Sequence, residues 1–175
     1  ALLPLMSRQL RSGDEAAATA SQNRAIEFSL FLTLPAAVAL VVIAEPIISV
    51  LFERGAFDAI SVKATAGVLA IYATGLPAYV LVKALAPGYF AREDTATPVK
   101  IAVFALAVNL GLNLILMGPF KHLGIAMATS VSAWCNALIL AFVLKRRGHL
   151  AFDRRLLNRT PRMIAASLVM GGAVF

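Results

Sequence analysis

The sequence predicts an all-α protein, a polytopic bundle of transmembrane helices. The chain is 60% hydrophobic and only 14% charged, whereas soluble domains carry about 25% charged residues. Its apolar residues gather into four long runs, and a helix that crosses a bilayer needs roughly 20 such residues. The runs are too long for barrel strands and lack their alternation, so helices are expected.

Polar stretches divide the chain into eight segments. In chain order these are the end of one span (1–7), a cytoplasmic loop (8–24), four complete spans (25–52, 62–91, 98–119 and 123–145), a basic cytoplasmic loop (146–160) and the start of another span (161–175). The first residue is not Met, and the last residues are apolar. We therefore expect the chain to be a segment of a longer protein.

Long apolar runs mark the first two complete spans. Residues 28–44 carry no charge, and Glu45 and Pro46 interrupt this span only near its end. Residues 64–82 form the second run, which Lys83 and another apolar turn follow. Both segments therefore reach the length of a membrane-crossing helix.

The next two spans are expected to form a hairpin. Their apolar runs, 101–120 and 123–144, are separated only by the tight turn GPFKHLG. So short a connection brings the two helices side by side. A last apolar run begins at Met163.

The positive side chains are unevenly distributed among the connections, which predicts the orientation in the membrane. Twelve lie in the first, third and fifth connections: Arg8, Arg11, Arg24, Arg92, Lys100, Lys145, Arg146, Arg147, Arg154, Arg155, Arg159 and Arg162. Three lie in the second and fourth: Arg54, Lys63 and Lys121. Cations near span ends face the cytoplasm. Most of the net charge of +7 then reflects topology, so nucleic acid is not an expected partner.

Several kinds of chemistry lack their residues in the sequence. The single Cys135 excludes an internal disulfide framework and a Cys-based metal site. His122 and His149 lie in separate loops, and there is no phosphate-binding Gly-Lys motif and no nucleophile–base arrangement. We therefore expect a protein that is not an enzyme and needs no organic cofactor.

Lys83 is an unusual charge because it follows directly on an apolar run. A charge at the centre of a membrane helix costs about 2.5–3.5 kcal/mol on insertion scales. Two interpretations stay open. The side chain extends to the nearby polar turn and its water, or it faces a hydrated cavity and attracts an anionic substrate.

Polar side chains also lie within the predicted hairpin. Asn109 and Asn113 are four residues apart and share one helix face. The following span carries four further amides and hydroxyls: Thr129, Ser130, Ser132 and Asn136. These groups either join the helices through hydrogen bonds or supply oxygen ligands to a hard cation.

The turn AREDTATPVK joins the second and third complete spans. Pro98 is suited to the start of a helix. Arg92 and Lys100 are expected to hold this turn on the cytoplasmic side, with Asp94 between them. The turn serves topology and helix capping, or it contributes to a gate that closes the cytoplasmic side.

Four stretches together resemble the lipid II flippase family (MurJ/MviN) of the multidrug/oligosaccharidyl-lipid/polysaccharide exporter superfamily. They are LLPLMSRQLRSGDEAA, LTLPAAVALVVIAEPIISVLFERGAFD, GLPAYVLVKALAPGYFAREDTATPVKIA and NLGLNLILMGPFKHLGIAMATSVSAWCNALIL. The most specific piece is KALAPGYFAREDTATPVK, followed by the FERGAFD turn. The resemblance implies part of a 14-helix, two-lobed transporter, from the end of helix 8 to the start of helix 13.

The resemblance also implies a function in bacterial cell-wall biosynthesis. Members of the family move lipid II, the undecaprenyl-diphosphate-linked peptidoglycan precursor, across the inner membrane by alternating access. Their central cavity is positively charged, and Lys83 is the candidate contributor in this chain. A sodium site of the family corresponds here to Asn109, Asn113, Thr129 and the backbone carbonyl of Ile125. An Asn at 113 brings an oxygen but no charge, which weakens the expectation of sodium.

Two alternatives to a lipid II flippase remain at this point. One is a cation-coupled exporter of drugs or polysaccharide precursors from the same superfamily. The other is a membrane scaffold that recruits cell-wall synthesis proteins through the basic segment KRRGHLAFDRRLLNRTPR, or binds anionic membrane lipids there.

Overall fold

The computed structural model describes residues 2–174, which form six helices and, within that range, no β-strand. The helices are α1 (Leu2–Arg11), α2 (Glu15–Val42), α3 (Ala44–Phe52), α4 (Ala59–Phe90), α5 (Ala96–Arg146) and α6 (Arg154–Val174). This confirms the predicted all-α fold.

Helix α5 is two antiparallel arms rather than one rod. Its 51 residues would extend about 76 Å as a straight helix, more than twice the roughly 30 Å hydrocarbon thickness of a bilayer. The backbone leaves the helical region at Lys121, where φ is 51° and ψ is −126°. This break lies in the predicted turn GPFKHLG and separates the arms 96–120 and 122–146.

Two helices extend beyond the apolar runs into segments that we predicted to be loops. Helix α2 starts at Glu15, where the Asp14 carboxylate accepts a hydrogen bond of 2.8 Å from the Ala17 amide. Asp153 similarly accepts a 2.8 Å hydrogen bond from the Leu156 amide in the first turn of α6. Capped polar turns are stable as helix, so hydropathy marks where the chain enters lipid and not where a helix begins.

The predicted span 25–52 is divided at Ile43. Helix α2 ends at Val42 and α3 begins at Ala44. Pro46 lies in the first turn of α3, where its missing amide hydrogen removes no intrahelical bond.

Helix α4 lies at the centre of the bundle. It packs against α2, α3 and both arms of α5, and α2 in turn carries α6. The largest apolar cluster joins α2, α4, α5 and α6 near the α4–α5 turn. There the buried Tyr89 donates a 2.7 Å hydrogen bond to the Leu140 carbonyl oxygen. This cluster holds the ends of four helices together beneath the basic loops.

The surface and the interior have the polarity of a membrane protein. Buried polar residues are Gln22, Asn23, Glu27, Ser130, Ser132 and Ser167. Large apolar side chains instead point outward, for example Leu114 at 70% exposure and Phe142 at 63%. A soluble monomer rarely exposes apolar area so extensively. Helices α2, α4 and α5 are each long and apolar enough to cross a bilayer, so the chain is a membrane protein.

Candidate functional site

Four of the six predicted polar residues of the α5 hairpin meet in one hydrogen-bonded chain: Asn109, Asn113, Thr129 and Ser132. Asn113 Nδ2 donates to Asn109 Oδ1 at 2.9 Å, and Asn109 Nδ2 donates to Ser132 Oγ at 3.1 Å. A longer contact of 3.5 Å joins Asn109 Nδ2 to Thr129 Oγ1. The Thr129 hydroxyl donates to the Ile125 carbonyl oxygen at 2.9 Å. Asn109 is therefore the centre of the cluster and joins the two arms.

Two side-chain oxygen atoms in or beside this cluster lack a hydrogen-bond donor among the described residues. Asn113 Oδ1 and Asn136 Oδ1 are buried and accept no hydrogen bond from the residues that the structure describes. A hollow of about 290 Å³ opens beside Asn109, Ser132 and Asn136, and Tyr79 of α4 also lines it.

Amide, hydroxyl and carbonyl oxygens suit a hard cation. Within residues 2–174, however, no cluster of three or more His, Cys, Asp or Glu side chains is placed to hold a metal. The oxygen atoms that the cluster offers, from amides, hydroxyls and the Ile125 carbonyl, are therefore all neutral.

Close packing of α4 against the second arm of α5 holds this cluster in place. A methyl group on Gly75 would lie 3.0 Å from Ser130 Oγ and 3.2 Å from its Cα, so the absence of a side chain permits the approach. Ser130 Oγ donates to the Ile71 carbonyl oxygen at 2.9 Å, and Trp134 Nε1 donates to the Thr74 carbonyl oxygen at 3.0 Å. Both hydrogen bonds reach backbone carbonyls in the two turns of α4 that precede Pro77, so they join the second arm of α5 directly to the α4 backbone.

Lys83 lies on an exposed face of α4. Within residues 2–174 no carboxylate forms an ion pair with it. It follows Tyr79 by one helical turn, and Tyr79 borders the hollow beside Asn109. Lys83 itself does not line that hollow, and within residues 2–174 no hydrogen bond joins it to the polar cluster.

The predicted residues of the α4–α5 turn have separate roles. Asp94 accepts a 2.9 Å hydrogen bond from the Thr97 amide and forms an ion pair with Arg147, beyond the far end of α5. Hydrogen bonds from Thr97 and then from Arg147 lower the pKa of Asp94 to about 2, so the carboxylate is charged at neutral pH. Arg92 Nη1 instead donates to the Gly88 carbonyl oxygen at 2.9 Å, and Lys100 is exposed.

Nothing in the sequence indicates Arg147 as the partner of Asp94. The two residues are 53 positions apart, and the sequence pattern places Arg147 only among the cations expected on the cytoplasmic side. Their ion pair joins the start of the hairpin to its end, which closes the two arms at this side of the bundle.

A second charged cluster surrounds Glu27, which sequence reasoning missed. Its side chain is only 8% exposed and binds Arg24, Arg155 at 3.4 Å and Arg159 at 2.6 Å. Arg24 also binds Asp153. The partners in α6 follow Glu27 by more than a hundred residues, so no local pattern could reveal them.

Comparison with known proteins identifies the family of the chain. The family model described as "Lipid II flippase MurJ" matches residues 1–175. The chain belongs to the lipid II flippase MurJ family. The resemblance seen in the sequence is therefore confirmed.

Curated relatives and a solved structure agree with the MurJ assignment. A probable lipid II flippase MurJ of Rhizobium tropici is 49% identical over 99% of this chain and 32% of its own length. The lipid II flippase MurJ of Burkholderia cenocepacia is 34% identical over 98% of this chain and 33% of its own length. The chain thus spans about a third of the curated relatives it matches.

A solved lipid II flippase MurJ in an inward closed conformation has the same arrangement of helices. It superposes with a TM-score of 0.82 and 26% identity, covering 99% of this chain and 36% of that one. The helix packing described above is therefore the packing of a MurJ-family segment.

Proposed function

We propose that the full-length protein moves lipid II across the bacterial inner membrane by alternating access. The observation that carries this proposal is the match of all 175 residues to the MurJ family model. Membrane-spanning helices that bury polar side chains such as Gln22 and Ser130 support a transporter. Its ligands would be the lipid-linked precursor and the lipids of the membrane.

We also propose that the protein crosses the membrane several times, with its basic connections in the cytoplasm. Residues of three basic connections converge at one end of the bundle, which supports this orientation: Arg24 meets Arg155 around Glu27, and Arg147 meets Asp94. Cations concentrated at one end of a helix bundle favour the cytoplasmic side.

Depletion of the full-length protein tests the transport proposal. Lipid II in the outer leaflet should fall while the precursor accumulates inside the cell. A precursor that still reached the outer leaflet without any substitute flippase would contradict transport. That result would favour the alternative in which the protein is a membrane scaffold that recruits other cell-wall synthesis proteins.

We propose that Lys83 contributes positive charge to the path of the diphosphate headgroup. Lys83→Ala should slow lipid II flipping about tenfold, because a hydrogen bond to a charged group contributes about 1.5–3 kcal/mol. Lys83→Arg should retain most of the activity. Flipping in reconstituted vesicles measures both rates.

Lys63→Ala is the matched control for Lys83, since it removes an exposed lysine near the other end of α4. Membrane insertion should be equal in all three variants. Unchanged flipping by Lys83→Ala would show that the lysine only extends to interfacial water.

We also propose that the Asn109 cluster binds sodium through neutral oxygens. The 2.9 Å bond to Asn113 occupies Asn109 Oδ1, so binding requires the amides to reorient toward the ion. Asn109→Ala should raise the sodium concentration for half-maximal flipping about tenfold or more, in line with the loss of supporting groups at metal sites.

A negatively charged side chain in this cluster should strengthen sodium binding, which is the opposite of the effect expected for Asn109→Ala. Asn113→Asp should lower the sodium concentration for half-maximal flipping, because it adds a negative charge beside the ion. Asn158→Ala, which removes an exposed amide in α6, is the control. An unaltered sodium response in Asn109→Ala would leave the cluster with helix packing as its role.

A further inference from the structure

A continuous groove follows the contact between α2 and α6. Two hollows of about 410 and 420 Å³ share the lining residues Phe31, Arg159 and Met163. One hollow reaches Arg24 and the other reaches Met170. We call the combined feature the α2–α6 groove.

The α2–α6 groove changes polarity along its length. Four arginines line the end near the basic loops: Arg24, Arg155, Arg159 and Arg162. The other end is lined mainly by apolar atoms, including Pro35, Ala166 and Met170. The change occurs where the sequence of α6 passes from Arg162 to Met163. This is the pattern expected where lipid headgroups meet hydrocarbon.

The basic end has positive charge in excess. Glu27 and Asp153 are the carboxylates that pair with these arginines, so two positive charges remain uncompensated. Glu27 is 8% exposed, whereas the side chain of Arg155 is 53% exposed. The carboxylate thus lies beneath the guanidinium groups, which keep donors free toward the outside. Such groups bind phosphate with charge-assisted hydrogen bonds.

We propose that the α2–α6 groove binds one anionic phospholipid of the leaflet that faces the basic loops. Its phosphate contacts Arg159 and Arg162, and one acyl chain follows Phe31 toward Met170. A helix is too large for the apolar end. A single helical turn 10 Å across and 5.4 Å long occupies about 420 Å³, which is already the whole volume of about 420 Å³ of that hollow. An acyl chain fits this space, and the arginines select an anionic headgroup. The site does not depend on the proposed transport activity.

Lipid binding by the full-length protein tests this site at the basic end. Native mass spectrometry in detergent would measure the bound fraction during titration with phosphatidylglycerol or phosphatidylcholine. Arg162→Gln should weaken phosphatidylglycerol binding about fivefold, since one basic residue contributes about 1 kcal/mol. Arg154→Gln is the matched control, because it removes an exposed arginine of the same helix that does not line the groove.

A second pair of variants tests the apolar end. Ala166→Phe should fill the groove and remove most of the bound phosphatidylglycerol. Ala165→Phe adds the same ring to the neighbouring exposed position, which does not line the groove, and should leave binding unchanged. Because neither alanine is buried, both proteins should fold.

Three results would overturn the lipid site. Equal binding of phosphatidylcholine would remove the role of the arginines. Equal loss in Arg154→Gln and Arg162→Gln would reduce the effect to general surface charge. Displacement of phosphatidylglycerol by lipid II would assign the groove to the transport substrate. Flipping is measured separately, so failure of this site leaves the transport proposal intact.

Discussion

Gly124→Leu should destabilise the protein by about 3 kcal/mol, the upper part of the usual range for overpacking. Gly124 is buried where the two arms of α5 face each other, and any Cβ there would collide with the Leu116 carbonyl. Backbone cannot move aside as a flexible side chain can, so the arms must separate. Their separation would draw Asn109 away from Thr129 and Ser132. Unfolding of the full-length protein in detergent, followed by circular dichroism, measures the loss.

Gly118→Leu is the control for the hairpin. Gly118 belongs to the same arm as Leu116 but is exposed, and a Cβ there would have no atom within 4 Å. We expect little change in stability from this variant. Equal stability of the Gly124 and Gly118 variants would mean that the arms do not pack as described.

Glu27→Gln should cost about 2 kcal/mol of folding stability. Breaking a fully buried ion pair costs about 3–5 kcal/mol, and the arginines around Glu27 are partly exposed, which reduces the cost. The substitution leaves Arg24, Arg155 and Arg159 close together without their shared carboxylate. The contact between α2 and α6 should therefore weaken first. Thermal unfolding and hydrogen exchange in α6 would measure the effect.

A second substitution tests whether charge causes the loss at Glu27. Adding Arg159→Gln to Glu27→Gln should cost less than the sum of the two single effects, because residues that interact directly are not additive. Glu45→Gln, at an exposed position of α3, should be nearly neutral. Strict additivity, or an equal loss in Glu45→Gln, would contradict the shared role of Glu27.

The polar cluster shows how far sequence reasoning reaches when partners are close along the chain. Asn109 and Asn113 share a helix face because of helical periodicity, and a turn of a few residues necessarily brings the next span alongside. Asn109, Thr129 and Ser132 are consequently in contact, as a hairpin requires. The direction of each hydrogen bond, and the spare oxygens on Asn113 and Asn136, depend on side-chain rotation that periodicity does not specify.

Lys83 and Glu27 show where sequence reasoning stops, because the surroundings of each residue come from distant parts of the chain. Each charge was visible in the sequence, but its surroundings depend on which helices pack together. Lys83 is exposed, one helical turn from Tyr79, which lines the hollow near Asn109. Glu27 lies beneath arginines from two helices. Ion pairs form across helix contacts whose geometry arises from the packing of many side chains at once.

Hydropathy and the spacing of polar residues were enough to predict membrane helices, their approximate number and the hairpin, and four sequence stretches resembled the flippase family. Burial in lipid is a property of each stretch of about 20 residues and needs no distant partner. Folding in three dimensions added the Asp94–Arg147 pair, the Glu27 cluster and the α2–α6 groove. Each of these features joins residues far apart in the chain. The interactions that stabilise it therefore form only when the helices pack together.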